Sequence, residues 1–215
     1  MGAGDETPDG GIDPKGAQHI VELASGCDAV LIGPGMIDAR SVAALTKLLL
    51  EAAEKPILVL DASAFTTLDR SALSRRNAGR VVVTPHSGEM AGFLKIDREE
   101  VESNPPDFAC RVSQDIQAVV ALKGAVTHIA SPDGTIWRSD HGSIGLATSG
   151  SGDVLAGILA GLLARGTDPT LATIWSVYLH GEAGRRLTSR LGRYGLLARE
   201  LPGEIPAIMH ELSEG

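Results

Sequence analysis

The residues best suited to chemistry in this 215-residue chain form one short run, Thr148-Ser149-Gly150-Ser151-Gly152-Asp153. Glycine and serine let backbone amides approach an anion, and the apolar stretch Val154 to Leu163 that follows reads as a helix. The run is therefore a turn at a helix start, with unpaired N–H groups aimed outward as a phosphate cradle. Asp153 has two readings. A carboxylate at a helix start caps amides and suits the helix dipole. Beside bound phosphate, it can also accept the proton of an attacking hydroxyl. No Gly-Lys-Ser/Thr follows, so the turn is not a P-loop, and it lacks the spacing and context of GxGxxG.

Three further segments carry polar groups in telling places. Thr84-Pro85-His86-Ser87-Gly88-Glu89 joins a strand end to a helix: His86 either faces a crevice or serves the fold, and Glu89 alone reads as a helix-start acid. Lys123-Gly124-Ala125-Val126-Thr127 puts a cation, a flexible turn and a hydroxyl just past a strand. Alone, Lys123 is surface charge; near phosphate it neutralises nucleotide charge while the turn's backbone contacts phosphate or base. His180-Gly181-Glu182-Ala183-Gly184 reads as packing, with His180 hydrogen-bonded inside and its glycines against another helix. No His and carboxylate spacing makes a zinc site, and no GxSxG elbow occurs.

Short β-branched runs alternate with helical stretches, the rhythm of βα units feeding a mostly parallel sheet. Helices are expected at 15–25, 39–54, 87–95, 107–118, 153–163 and 169–189. Strands are expected at 28–32, 56–60, 80–83 and 119–122, with a hairpin at 127–130 and 135–137. Ligands of open parallel sheets gather beyond the carboxyl ends of strands, so the Gly33-Pro34-Gly35 turn, Asp61 and Thr84-Pro85-His86 share one crevice in this reading. The 153–163 helix, apolar almost all round, reads as central and buried, with Gly157 and Gly161 allowing close packing. Pro105-Pro106 reads as a loop before a helix.

The length fits one domain over residues 1–215. A net charge of −8 argues against nucleic acid as partner, because phosphate neutralisation needs clustered Lys and Arg. The basic run Arg185 to Arg193 reads as a solvated helix end. Cys27 and Cys110 match no metal spacing and read as buried, reduced thiols, which points to the cytoplasm. The polar N-terminus lacks a signal peptide's apolar stretch, and no apolar run reaches the roughly 18 residues of a membrane span.

Taken in order, these segments resemble the NAD(P)H-hydrate dehydratase family, the YjeF C-terminal-domain branch of the ribokinase-like superfamily. The resemblance rests on Val30 to Met36, Thr84 to Met90, Leu122 to Ala125, Gly150 to Gly157 and Leu179-His180-Gly181, and spans the chain from about residue 10 onward. It implies a three-layer α/β sandwich with helices on both faces of a mostly parallel sheet. It also implies repair of hydrated NADH or NADPH, in which the added hydroxyl is phosphorylated by ADP or ATP and phosphate is then eliminated. Carried over by motif, Gly35 and His86 contact the hydrated dinucleotide and Asp153 is the base. Lys123, Gly124, Ala125, Val126 and Thr127, with Gly152, bind the nucleotide donor, and the amides of Gly150, Ser151 and Gly152 stabilise the transferred phosphoryl group. Magnesium is the divalent cation expected with the phosphates, without an assigned protein ligand.

Measured against that family, the chain reads as shortened at its N-terminus, starting close to the Gly33-Pro34-Gly35 strand. Ser63 stands where the family favours an acid, Phe65-Thr66 where it favours Leu-Asn, and Ile37, Ser87 and Ser149 replace Gly, Pro and Gly. Apolar surface exposed by the shortening implies a homo-oligomer. Two other readings remain: a small-molecule kinase of the same superfamily acting on a vitamin precursor or sugar-like alcohol, and a nucleotide-binding protein without turnover.

Overall fold

A computed structural model of the chain describes residues 14–73 and 77–214. It contains strands β1 (Ala29–Ile32), β2 (Ile57–Leu60), β3 (Val81–Val83), β4 (Val119–Leu122), β5 (Thr127–Ala130) and β6 (Ile136–Ser139). The helices are α1 (Pro14–Ser25), α2 (Ala39–Ala52), α3 (Ala62–Thr66), α4 (Ser87–Leu94), α5 (Arg98–Ser103), α6 (Pro105–Ile116), α7 (Ser151–Ala164), α8 (Pro169–Leu191) and α9 (Leu201–Glu214). Every strand and helix expected from the sequence is present within a few residues.

Local chemistry explains the elements. In α2, Asp38 caps the start by accepting from the amides of Arg40 and Ser41, and Val42, Leu45, Thr46, Leu49 and Leu50 form the buried stripe of a 3.6-residue period. The β3 sequence Val-Val-Val is β-branched throughout and wholly buried.

The six strands run in sequence order, β1 to β4 parallel and β5 and β6 antiparallel as the expected hairpin. Residues alternate between two cores, as the two-residue strand period demands. On one face Ile32, Leu58, Leu60, Val81, Val83, Val120 and Leu122 pack against the elements from α1 to α6. On the other, Val59, Val82, Val119, Ala121 and Ile129 meet Leu155, Leu159 and Leu163 of α7 and Ala172 and Val177 of α8. The result is three layers. Leu159 is fully buried, and its truncation to Ala costs about 2–5 kcal/mol. No helix among the described residues is long and apolar enough to cross a membrane.

Several expectations need correction. Pro105 and Pro106 are the first residues of α6 rather than a loop, a position where proline's missing N–H costs no bond. Helix α7 is buried along one face, not all round, and Gly157 and Gly161 lie on its exposed side with nothing within 4 Å of where a Cβ would stand. Close packing is not their role. Gly181 and Gly184 do make close contact, with the segment 141–147: a Cβ on Gly181 would stand 1.9 Å from the His141 carbonyl oxygen, and one on Gly184 2.5 Å from Leu146, which lies in the short 3-10 helix Ile144–Ala147. Cys27 is exposed and Cys110 half-buried, and both are free thiols. The basic run is ion-paired rather than merely solvated, with Arg185 and Arg186 on Glu182, and Arg190 on Glu204.

Candidate active site

The carboxyl ends of β1 to β4 converge on Asp61, the residue after β2. Its carboxylate, 3% exposed, accepts from Thr84 Oγ1 at 2.7 Å and from the Lys123 ammonium at 2.8 Å. Its backbone carbonyl lies so close to Gly33 that a Cβ there would stand 1.8 Å from the oxygen, which is why the β1 turn needs glycine at that position, with φ at 120°. Lys123 follows β4 and is registered by its own amide on the Pro85 carbonyl at 2.7 Å. Its Nζ then reaches to 3.3 Å from where a Cβ on Gly152 would stand. Four strand ends thus share one polar chain, from the Gly33 turn through Asp61 and Lys123 to the turn before α7.

That turn presents unpartnered backbone amides, among the described residues, beside the Lys123 ammonium. Gly150 takes a left-handed conformation, with φ at 83°, and ends the turn at the helix start. The amides of Gly150, Gly152 and Asp153 have no partner among the described residues, while the Ser151 amide donates to the Thr148 carbonyl. The Ser151 hydroxyl is also committed: it lies 2.9 Å from Nε2 of His180, which is buried as expected. Burial pushes the His180 pKa down to about 4, and the nearby Lys123 charge adds to the effect. The Asp153 carboxylate is exposed, and among the described residues nothing hydrogen-bonds it. It does not cap its helix.

His86 does cap one. As N-cap of α4, its Nδ1 accepts from the amides of Gly88 and Glu89, and the Glu89 carboxylate returns a bond to the His86 amide at 2.8 Å. With Nδ1 so engaged, the His86 Nε2 is the nitrogen left for a ligand, though it also lies 3.5 Å from Glu89. His86, Lys123, Gly124, Ala125 and Val126 line a cleft of about 840 Å³, together with Arg98, Glu102, His128 and Ala147. Thr127 starts β5 opposite Ser139 and is not part of that lining. Gly35 sits in the exposed β1 turn with open space around it. Ser63 donates to the Met36 carbonyl at 3.1 Å and lies 3.4 Å from that of Gly33, a bond that a carboxylate there could not donate.

The sequence places Asp61 in the crevice but not in its ion pair, and it gives no signal for His128. Asp61 was noticed at its strand end, but its partners are 23 and 62 residues away. His128, whose Nδ1 is buried without a partner among the described residues, carries no local motif at all. Burial, and after it the charge of Arg138, lowers its pKa and so keeps the ring neutral.

Residues 6–207 match the family model described as NAD(P)H-hydrate dehydratase. An ADP-dependent (S)-NAD(P)H-hydrate dehydratase from Xanthomonas campestris pv. campestris is 43% identical over 201 residues, 94% of this chain and 68% of that protein. A bifunctional NAD(P)H-hydrate repair enzyme from Moorella thermoacetica is 36% identical over 97% of this chain, which spans 39% of that protein. The ADP/ATP-dependent NAD(P)H-hydrate dehydratase of Bacillus subtilis, crystallised with ATP and Mg²⁺, superposes with a TM-score of 0.75 at 30% identity, covering 89% of this chain and 69% of that one. The three layers and the sheet are those of the ribokinase-like fold.

Proposed function

The chain belongs to the NAD(P)H-hydrate dehydratase family, and from that membership we propose that it dehydrates hydrated NADH or NADPH at the expense of ADP or ATP. The observation that carries the proposal is the exposed carboxylate of Asp153, without a partner among the described residues, at an anion-receiving helix start, with Lys123 alongside. Asp153 accepts the proton of the hydrate's hydroxyl as that oxygen attacks the terminal phosphorus of the donor, and AMP or ADP leaves. The phosphate ester then breaks at its C–O bond. Phosphate departs with the electron pair, a proton leaves the neighbouring carbon, and the reduced nicotinamide is restored.

Lys123 and the unpaired amides of Gly150, Gly152 and Asp153 receive the phosphates and stabilise the charge that develops on them. Ser151 takes a supporting part, because its hydroxyl is held by His180 and its amide by Thr148. The turn Lys123 to Val126 borders the donor's cleft, and Thr127 follows it as the first residue of β5. Gly35 and the His86 Nε2 side stand toward the hydrated dinucleotide.

Among the described residues no group of three His, Cys, Asp or Glu side chains could hold a metal ion. Magnesium fits this chain as an ion carried by the donor's phosphates and water, its usual shell, and there it neutralises phosphate charge. Exposed Leu171, Trp175 and Leu212 around an apolar groove of about 410 Å³ support a homo-oligomer. Two free cysteines support a reducing, cytoplasmic setting.

The test is direct. Hydrated NADH, ADP and Mg²⁺ are mixed with the protein, and the reduced nicotinamide absorbance is followed. Its return, with AMP and phosphate formed in equal amounts, is the expected result; a stable phosphorylated product instead identifies a kinase.

A further inference from the structure

We propose that Asp61 is the positioning residue for Lys123, pinning its ammonium beside the Gly152 turn so that it faces the phosphates of a nucleoside di- or triphosphate. The inference rests on the reading of this cleft as a nucleotide site. Lysine carries a point charge on a flexible four-carbon stem, so a lysine that must meet a phosphate gains from being fixed in advance. Asp61 supplies that fixing at 2.8 Å, and Thr84 Oγ1 holds the same carboxylate oxygen at 2.7 Å. One of the three ammonium donors is taken in this way, which leaves two for phosphate oxygens.

The arrangement makes poor sense as a stabilising device. A buried ion pair often stabilises a fold no better than well-packed apolar side chains of the same size. Here it is also accompanied by strain, since Ala62, immediately after Asp61, is held at φ 47°, where a residue with a Cβ is disfavoured.

The experiment measures ADP affinity by calorimetry with Mg²⁺ on the full chain and on Asp61→Asn, Lys123→Gln and the double variant, with a thermal melt of each. Asp61→Asn is expected to weaken ADP at least about tenfold, and the double variant to bind no more weakly than Lys123→Gln, because Asp61 acts through Lys123 alone. If Asp61→Asn leaves the half-buried Lys123 without a counter-ion and fails to fold, the double variant, which removes both charges, decides the matter by the same comparison.

Wild-type ADP affinity in a folded Asp61→Asn overturns the proposal. So does a double variant tenfold weaker than Lys123→Gln, or a wild-type chain that binds neither ADP nor ATP. ADP bound without conversion of hydrated NADH sinks the proposed activity instead, while the affinity series still decides the role of Asp61.

Discussion

Lys123 and Gly152 approach so closely that the ammonium nitrogen lies 3.3 Å from the point where a side chain on Gly152 would begin. The absence of a Cβ at that position is what lets a cation and a set of free amides face the same small volume. Gly152→Ala therefore displaces the flexible end of Lys123 by a few tenths of an ångström and leaves the helix in place. ADP affinity is expected to fall roughly tenfold, about 1.4 kcal/mol, with little change in melting temperature. Titration calorimetry beside a thermal melt checks both; an unchanged ADP affinity would remove Gly152 from the phosphate site.

Asp153→Asn separates chemistry from folding. The carboxylate makes no hydrogen bond to the described residues, so its loss should leave the melting temperature within about a degree or two and ADP binding near the wild-type level. Turnover should drop by roughly 10²- to 10⁴-fold, the usual contribution of a general base. A variant with normal turnover would show that the base is another group.

The glycines of α7 and α8 should respond in opposite ways to alanine. Gly157→Ala meets open space at a helix-interior position, and should stabilise the protein by about 0.4–1 kcal/mol. Gly181→Ala would push a methyl group to 1.9 Å from a backbone oxygen, and no side-chain adjustment relieves that. The expected cost is above 3 kcal/mol, in the range of severe overpacking. Denaturant unfolding of the two variants checks the contrast, and equal midpoints would contradict it.

Two buried groups on α8 place acid sensitivity in separate windows. His180 titrates at about 4 in the fold against 6.5 when free, so the unfolded chain binds the extra proton first as pH falls. Stability is complete above pH 6.5 and declines toward pH 4, by on the order of 3 kcal/mol. Glu182 is held at about 2, against 4.5 when free, by its hydrogen bond to Arg185 and further by Arg186 and His141, and burial opposes the shift. Its contribution is present above pH 4.5 and is lost as pH falls toward 2. Unfolding free energies measured across both ranges should flatten between pH 6.5 and 4 in His180→Asn, and between pH 4.5 and 2 in Glu182→Gln. An unchanged slope in either variant refutes the corresponding assignment.

The sheet and its main helices are legible in the sequence because their signal is local. Val81-Val82-Val83 can hardly be anything but a buried strand, and the apolar spacing of α2 is visible at a glance. The elements that escape are those with weak or mixed local signals. Helix α5, Arg-Glu-Glu-Val-Glu-Ser, has one buried side chain, and α3 is five residues long; α9 carries Pro206 within it. The chemistry divides in the same way. Gly150 to Asp153 announce themselves by composition, whereas Lys123 alone reads as surface charge, and the role of Asp61 depends on partners supplied by the ends of β3 and β4. Gly157 and Gly181 look alike in sequence, and what lies opposite each is decided by tertiary structure alone.

The reversal of direction after β4 also shapes the edge of the cleft. A fifth parallel strand would need a crossover of a dozen or more residues, usually a helix, passing over one face of the sheet. The chain instead turns back through Lys123 to Val126 and pairs β5 antiparallel to β4. The cleft is therefore bordered there by a four-residue rim, with no crossover element between β4 and β5 to close over it.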